Sequence, residues 1–202
     1  MDETVTLAAG GTALLLMDLQ HATLGSIPDV ERLLDRAELA RGAAAAAGMA
    51  VVHVRVAFSP DDHAAVPDHH RVFAPIAVGG HLAEGSSAVD IHPQLRPARG
   101  EHVVTKTRTG ALATTGLDAW LRERGIDTLV LTGIWTSGVV LSTLTDAADR
   151  DYRLFVLADA CADPDTDLHE RLLATVMARQ AQIIDTARFA AALRPGSGIV
   201  SA

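Results

Sequence analysis

Cysteine occurs once in this chain of 202 residues, as Cys161, and its isolation excludes a disulfide framework, a cysteine-rich zinc module and an iron–sulfur cluster. A reducing cytoplasm is the expected compartment. Asparagine is absent and lysine nearly so: 16 of the 17 basic residues are arginine, and the exception is Lys106. In a sequence that writes its basic residues as arginine, a solitary lysine either stands by chance or marks a position that needs a compact ammonium. Basic charge is scarce too. Acids outnumber bases 25 to 17, the net charge is −8 and the arginines are scattered, so no basic face is offered to a nucleic acid. No apolar run reaches about 18 residues without a charge, which argues against a membrane-spanning helix. The opening MDETVTLAAG is acidic, with no basic flank or long apolar stretch, unlike a signal or transit peptide. Apolar residues are plentiful, at 49% with 36 alanines, enough for residues 1–202 to form one domain around a substantial core.

Short β-rich apolar runs alternate with helical patterns, the signature of an α/β domain with a mainly parallel sheet. Strands are predicted at 12–17 (TALLLM), 50–56 (AVVHVRV), 102–105 (HVVT), 128–132 (TLVLT), 153–158 (RLFVLA) and 181–184 (AQII). Between them, 29–47, 117–124, 138–150 and 167–179 carry apolar faces of helical period, and Gly48 and Gly125 stop two of these helices. The strands are apolar almost throughout, so both faces of the sheet are expected to be covered. Residues 57–100 break the pattern. They hold five of the eight prolines and five of the nine histidines, and they read as a partly helical excursion over the strand ends, because structureless connections beyond about 15 residues are usually functional.

Three segments carry chemistry. Asp18 follows LLLM, which places a carboxylate at the carboxyl end of an apolar strand, where desolvation raises its pKa. Lys106 follows HVVT in the same relation, and GIWTSGVV follows TLVLT into a helix. Ligands of open parallel sheets bind outside the carboxyl ends of the strands, so the three are predicted to converge on one crevice. Asp18 and Lys106 would there form a proton-transfer pair, with backbone N–H groups at the helix start available to an anion. The structural alternative is a buried ion pair beside an ordinary tight turn.

These segments resemble the isochorismatase-like hydrolases, the cysteine hydrolase superfamily. ALLLMDLQ (13–20) is similar to the family's first-strand motif and VVTKTRTGAL (103–112) to its lysine motif. GIDTLVLTGIWTSGVVLSTLTDAADRDYRLFVLADACAD (125–163) is similar to its nucleophile strand, helix and following strand, and EGSSAVDIHPQL (84–95) to the stretch before its lysine. The likeness runs in order over residues 10 to 185. It implies a doubly wound three-layer α/β sandwich with a central, mostly parallel sheet of about six strands. It also implies a homo-oligomer, a dimer or tetramer, acting on a small molecule without a cofactor, and a non-proline cis peptide near Ile134–Trp135. Asp18 and Lys106 become two members of an Asp–Lys–Cys set.

The third member is missing, because Val139 stands where thiol members of the family carry cysteine. Valine has no nucleophilic atom, so a covalent thioester route through this position is closed. Members without the cysteine cleave a vinyl ether by protonation, with the aspartate as general acid. Ser137 and Ser142 are the nearby hydroxyls; Ser137 lies two residues early and would equally serve as a helix N-cap. Cys161 reads as a packed small residue. Trp135, Thr136 and Gly138 are the expected oxyanion or substrate contacts. Arg108 leads Arg55 and Arg71 as a carboxylate binder, unless it is a surface arginine. Leu112 and Thr23 or Leu24 stand where the family has aromatics, a loss that Trp135 could offset. Asp61, Asp62, His63, Asp68, His69 and His70 are metal-binding residue types, but the family's metal motif falls on Val56, Ala57 and Phe58, so a solvated loop and no metal are expected. The reading is a hydrolase using Asp18 and Lys106 without a thiol. Its alternatives are a non-catalytic relative that keeps the pocket for binding, and an amidohydrolase that lost its nucleophile.

Overall fold

The computed structural model describes residues 7–193. Six strands form one sheet: β1 (Thr12–Met17), β2 (Ala50–Val56), β3 (His102–Lys106), β4 (Thr128–Ile134), β5 (Arg153–Ala162) and β6 (Gln182–Ile184). Their order is β3-β2-β1-β4-β5-β6, and every pairing is parallel. The order reverses direction at β1, between β2 and β4, which opens a crevice above the carboxyl ends of these strands.

The helices are α1 (His21–Leu24), α2 (Val30–Ala46), α3 (Pro60–Ala64), α4 (Ala74–Val78), α5 (Leu117–Glu123), α6 (Leu141–Ala148), α7 (Thr166–Arg171) and α8 (Thr186–Ala192). Side chains of β1 alternate between two cores, as a period of two requires. Ala13, Leu15 and Met17 pack with Leu117 and Leu121 of α5 and Leu144 and Ala147 of α6, whereas Leu14 and Leu16 pack with Leu33, Leu34 and Ala37 of α2 and Phe189 of α8. The sandwich therefore has three layers. Asp29 caps α2 by accepting from the Arg32 N–H at 3.2 Å, and Gly48, at φ 71°, follows its end.

Two helical expectations are corrected in detail. The stretch after β4 begins as a wide turn, Thr136–Val140, with Gly138 at φ −101° and ψ −106°, and becomes regular only at Leu141. The helix expected at 167–179 is regular only through Arg171 and then widens over Leu172–Val176. Both segments have helical composition, and composition does not report a change of hydrogen-bond spacing.

The excursion after β2 is partly helical, with α3, α4 and two single turns. It has its own small core of Val56, Phe58, Val66 and Phe73. Two isolated bridges, Phe58 with Ala83 and Gln20 with Ile91, fasten it across the strand ends.

Candidate active site

β1 delivers Asp18 one residue past Met17, and β3 ends on Lys106. The Asp18 N–H donates to the Val54 carbonyl at 2.8 Å, its φ is 57°, and the Thr23 hydroxyl donates to its carbonyl at 2.5 Å. A non-glycine residue at positive φ at a strand end is a strained conformation of the kind found at functional sites. Lys106 Nζ lies 2.8 Å from Asp18 Oδ2 and donates to the Arg108 carbonyl at 3.1 Å. Both residues are buried, at 6% and 2% exposure. Burial pushes the Asp18 carboxyl above the usual carboxylate range and outweighs the opposing pull of the Lys106 ammonium. Among the described residues, Asp18 Oδ1 is the one buried side-chain oxygen or nitrogen without a hydrogen-bond partner. A buried polar atom is costly unless a ligand or water meets it, so this oxygen is available to either.

The third expected segment arrives from β4. Gly133, at φ 124°, lies so close to β1 that a Cβ built there would stand 2.0 Å from the Met17 carbonyl oxygen, so only glycine allows this approach. The peptide Ile134–Trp135 is cis. Beyond it, Val139 reaches the cavity that holds Asp18 and Lys106, about 780 Å³ in volume, with Trp135, Ser137 and Gly138 also in its lining. Trp135 is 44% exposed, and its indole N–H donates to the Ser26 hydroxyl at 3.0 Å.

Several expected contacts are placed elsewhere. Thr136 is fully buried and outside the lining; its hydroxyl pairs with His169 Nδ1 at 2.8 Å behind the turn, so the Thr136 side chain supports the turn from below. Ser137 does line the cavity, but its hydroxyl and its N–H both donate to Asp163 Oδ2, at 2.6 and 2.8 Å, so neither a helix cap nor a free nucleophile describes it. The Gly138 and Val140 N–H groups donate to the Trp135 carbonyl at 3.0 and 3.3 Å. The turn therefore holds fewer N–H groups for an anion than its sequence suggests. Arg108 also stays outside the lining: its guanidinium donates to the Thr107 carbonyl at 2.6 Å and sits 6.0 Å from the centre of the Phe73 ring. Arg55 is turned to Thr105 and Glu84. Ser142 packs beside Gly110, and Leu112 lies in the core. The Cys161 thiol donates to the Leu131 carbonyl, and burial pushes its pKa up to about 12, far from a reactive thiolate.

The histidine-rich segment is built into the excursion. Asp62 and Ser59 cap α3 reciprocally, and the hydrogen bonds from Ser59 hold the Asp62 carboxyl below its usual range. His63 stacks on Phe58 with ring centres 5.0 Å apart, and His70 Nδ1 accepts from the Phe73 N–H at 3.2 Å. No three of the His, Cys, Asp or Glu side chains among the described residues gather as metal ligands.

Sequence reasoning missed the cavity's outer wall. Val72, Phe73, Ile76 and Leu82 come from the excursion, and Phe73 supplies the ring whose loss the sequence implied. It also missed Gln20, fully buried, whose amide accepts from the Val56 N–H at 2.8 Å and donates to the Val56 and Val89 carbonyls at 3.0 and 2.8 Å. The available signal was that Gln20 closes the ALLLMDLQ segment that carries Asp18.

Comparison with known proteins agrees with this architecture. Residues 12–188 match the isochorismatase domain. A ureidoacrylate amidohydrolase RutB from Methylorubrum extorquens is 35% identical, with 95% of this chain and 86% of that protein covered. Among solved structures, a cysteine hydrolase from Pseudomonas syringae pv. phaseolicola superposes with a TM-score of 0.85 at 20% identity, covering 96% of this chain and 98% of the other. An N-carbamoylsarcosine amidase from Thermoplasma acidophilum gives 0.73 at 26% identity, over 87% and 96% of the two chains. With the parallel sheet, the crevice and the paired carboxylate and ammonium in place, the chain belongs to the isochorismatase family of hydrolases.

Proposed function

We propose that the protein hydrolyses a small molecule by acid–base catalysis through Asp18 and Lys106, with water as the attacking nucleophile. The observation that carries this reading is the buried pair at 2.8 Å in a cavity that Val139 also lines, the position at which the family resemblance implies a thiol. Burial favours the uncharged carboxyl, so Asp18 is poised to give a proton, and its bare Oδ1 is the atom to give it from. In a vinyl ether the proton goes to the terminal carbon of the double bond, whose π electrons form the new C–H bond. Water adds to the resulting oxocarbenium carbon and returns a proton to the carboxylate. The hemiketal then collapses to a carbonyl compound and an alcohol. Lys106 stabilises the carboxylate while it lacks its proton. A positioned acid contributes about 10²- to 10⁴-fold, and the remaining acceleration falls to electrostatics and orientation.

Amide hydrolysis is the second reading, favoured by the relatives named ureidoacrylate amidohydrolase. Asp18 would then protonate the departing nitrogen as water adds to the carbonyl carbon. In either reading, residues 1–202 act as one domain in a cytoplasmic homo-oligomer, a dimer or tetramer, with no nucleic acid and no cofactor.

Asp18→Asn is expected to abolish turnover across a panel of enol ethers and amides followed by chromatography, while Cys161→Ala retains it. Unchanged rates in Asp18→Asn would remove the proposal. Saturable binding without product in the parent protein would favour a pocket kept for binding, and an amidase activity created only by Val139→Cys would identify a lost nucleophile.

A further inference from the structure

Charge in the main cavity is confined to its floor. Lys106 is the one lysine or arginine in the lining, and its ammonium is engaged by Asp18 Oδ2 at 2.8 Å and the Arg108 carbonyl at 3.1 Å. Of the N–H groups in the turn after β4, those of Ser137, Gly138 and Val140 already have protein acceptors. The excursion supplies an apolar wall of Val72, Phe73, Ile76 and Leu82, and Val139 adds an isopropyl group beside Asp18. His81, exposed and also from the excursion, is the other lining group able to carry positive charge. A carboxylate entering this space would shed water against hydrocarbon and meet a single ammonium that already has two protein acceptors. An uncharged molecule with an apolar body meets none of these costs, and about 780 Å³ lies within the usual range for small-molecule sites.

We infer that the substrate is an uncharged molecule, with a small hydrolysable polar head at Asp18 and an apolar body against the wall formed by Val72, Phe73, Ile76 and Leu82. The inference rests on the proposed function only in taking this cavity as the substrate site. It sets the chain apart from relatives named for ureidoacrylate, since an acrylate is a carboxylate.

Two matched pairs test it by isothermal titration: phenylacetamide against phenylacetate, and hexanamide against hexanoate. The titrations are run near pH 8, where an imidazole is ordinarily uncharged and both acids are ionised. The expected result is that each amide binds about tenfold or more tightly than its acid. Val72→Arg, at a position 57% exposed and thus harmless to the core, is expected to narrow or invert that preference, as is Asp18→Asn, which frees Lys106. Acids that bind the parent protein as tightly as the amides, or amides that show no saturable binding, overturn the inference. The preference is read without turnover, so it stands even where Asp18→Asn stays active, an outcome that removes only the catalytic proposal. Turnover that depends on Asp18 but favours acids removes only the inference.

Discussion

At the scale of the residue, the decisive feature is a carboxyl group whose pKa burial raises above the usual range. Asp18 and Lys106 are not a surface pair of small consequence; both are withdrawn from water, so each depends on the other for compensation. Removing Asp18 would leave the Lys106 ammonium buried without its partner, a loss that typically costs about 3–5 kcal/mol. The direction of the Asp18 shift sets the pH dependence. With the folded-state pKa raised, the stability tied to the protonated form is complete below the usual carboxylate range and lost as pH rises through the raised value. Proton donation follows the same limb. The logarithm of kcat is expected to be flat at low pH and to fall with a slope near −1 above the raised pKa. A rate that instead climbs through that region would make Asp18 a base. The meeting of Asp18 and Lys106 was legible from sequence because a charged residue at the carboxyl end of an apolar strand in a parallel sheet is delivered to the crevice. Arg108 and Thr136 were misplaced because position along a chain does not say which way a side chain turns: Arg108 stays against the Thr107 carbonyl, and Thr136 points back to His169.

At the scale of the element, the turn after β4 is held from three sides. Asp163 grips Ser137, His169 meets the Thr136 hydroxyl, and Gly133 lets β4 press against the end of β1. These contacts fix the position of Val139 relative to Asp18, and they come from the residue after β5, from α7 and from β1, all distant in sequence. Gly133→Ala tests the closest of them. With a Cβ forced to 2.0 Å from the Met17 carbonyl at a φ of 124°, the strands must part, and a loss of about 3 kcal/mol is expected in urea denaturation. A variant as stable as the parent would mean that the two strand ends separate freely. Element positions were mostly legible: β1 and β2 begin and end at the predicted residues, and β4 and β5 run further than expected. The extensions escaped notice because Gly133 and Asp159 are poor strand residues that enter β structure here through tertiary contact.

At the scale of the whole molecule, the excursion converts a generic sheet crevice into a particular cavity. Gln20 joins the two, since its amide bonds the end of β2 at Val56 and the excursion at Val89. Gln20→Leu would leave three buried backbone groups unpaired, each costing about 1–3 kcal/mol before relaxation. The expected outcome is a lower urea midpoint together with faster amide exchange in residues 57–100, while the amides of β1 and β4 keep their protection. Uniform loss of protection would show that the excursion and sheet open as one unit. No helix among the described residues is long and apolar enough to cross a membrane.

The sequence by itself determined the parallel α/β sandwich, the order of its strands and helices along the chain, and the presence of an aspartate and a lysine at the carboxyl ends of two of the strands. Those properties follow from local periodicity and from the rule that places ligands at the carboxyl ends of strands. Only the tertiary structure decided that the arginines stay out of the cavity, that Ser137 is bound to Asp163, and that a wall of Val72, Phe73, Ile76 and Leu82 closes over Asp18. The physical reason is that the excursion has no sustained period to betray its inward face. Which of its apolar side chains meet the site depends on bridges and buried hydrogen bonds to residues far away in the chain.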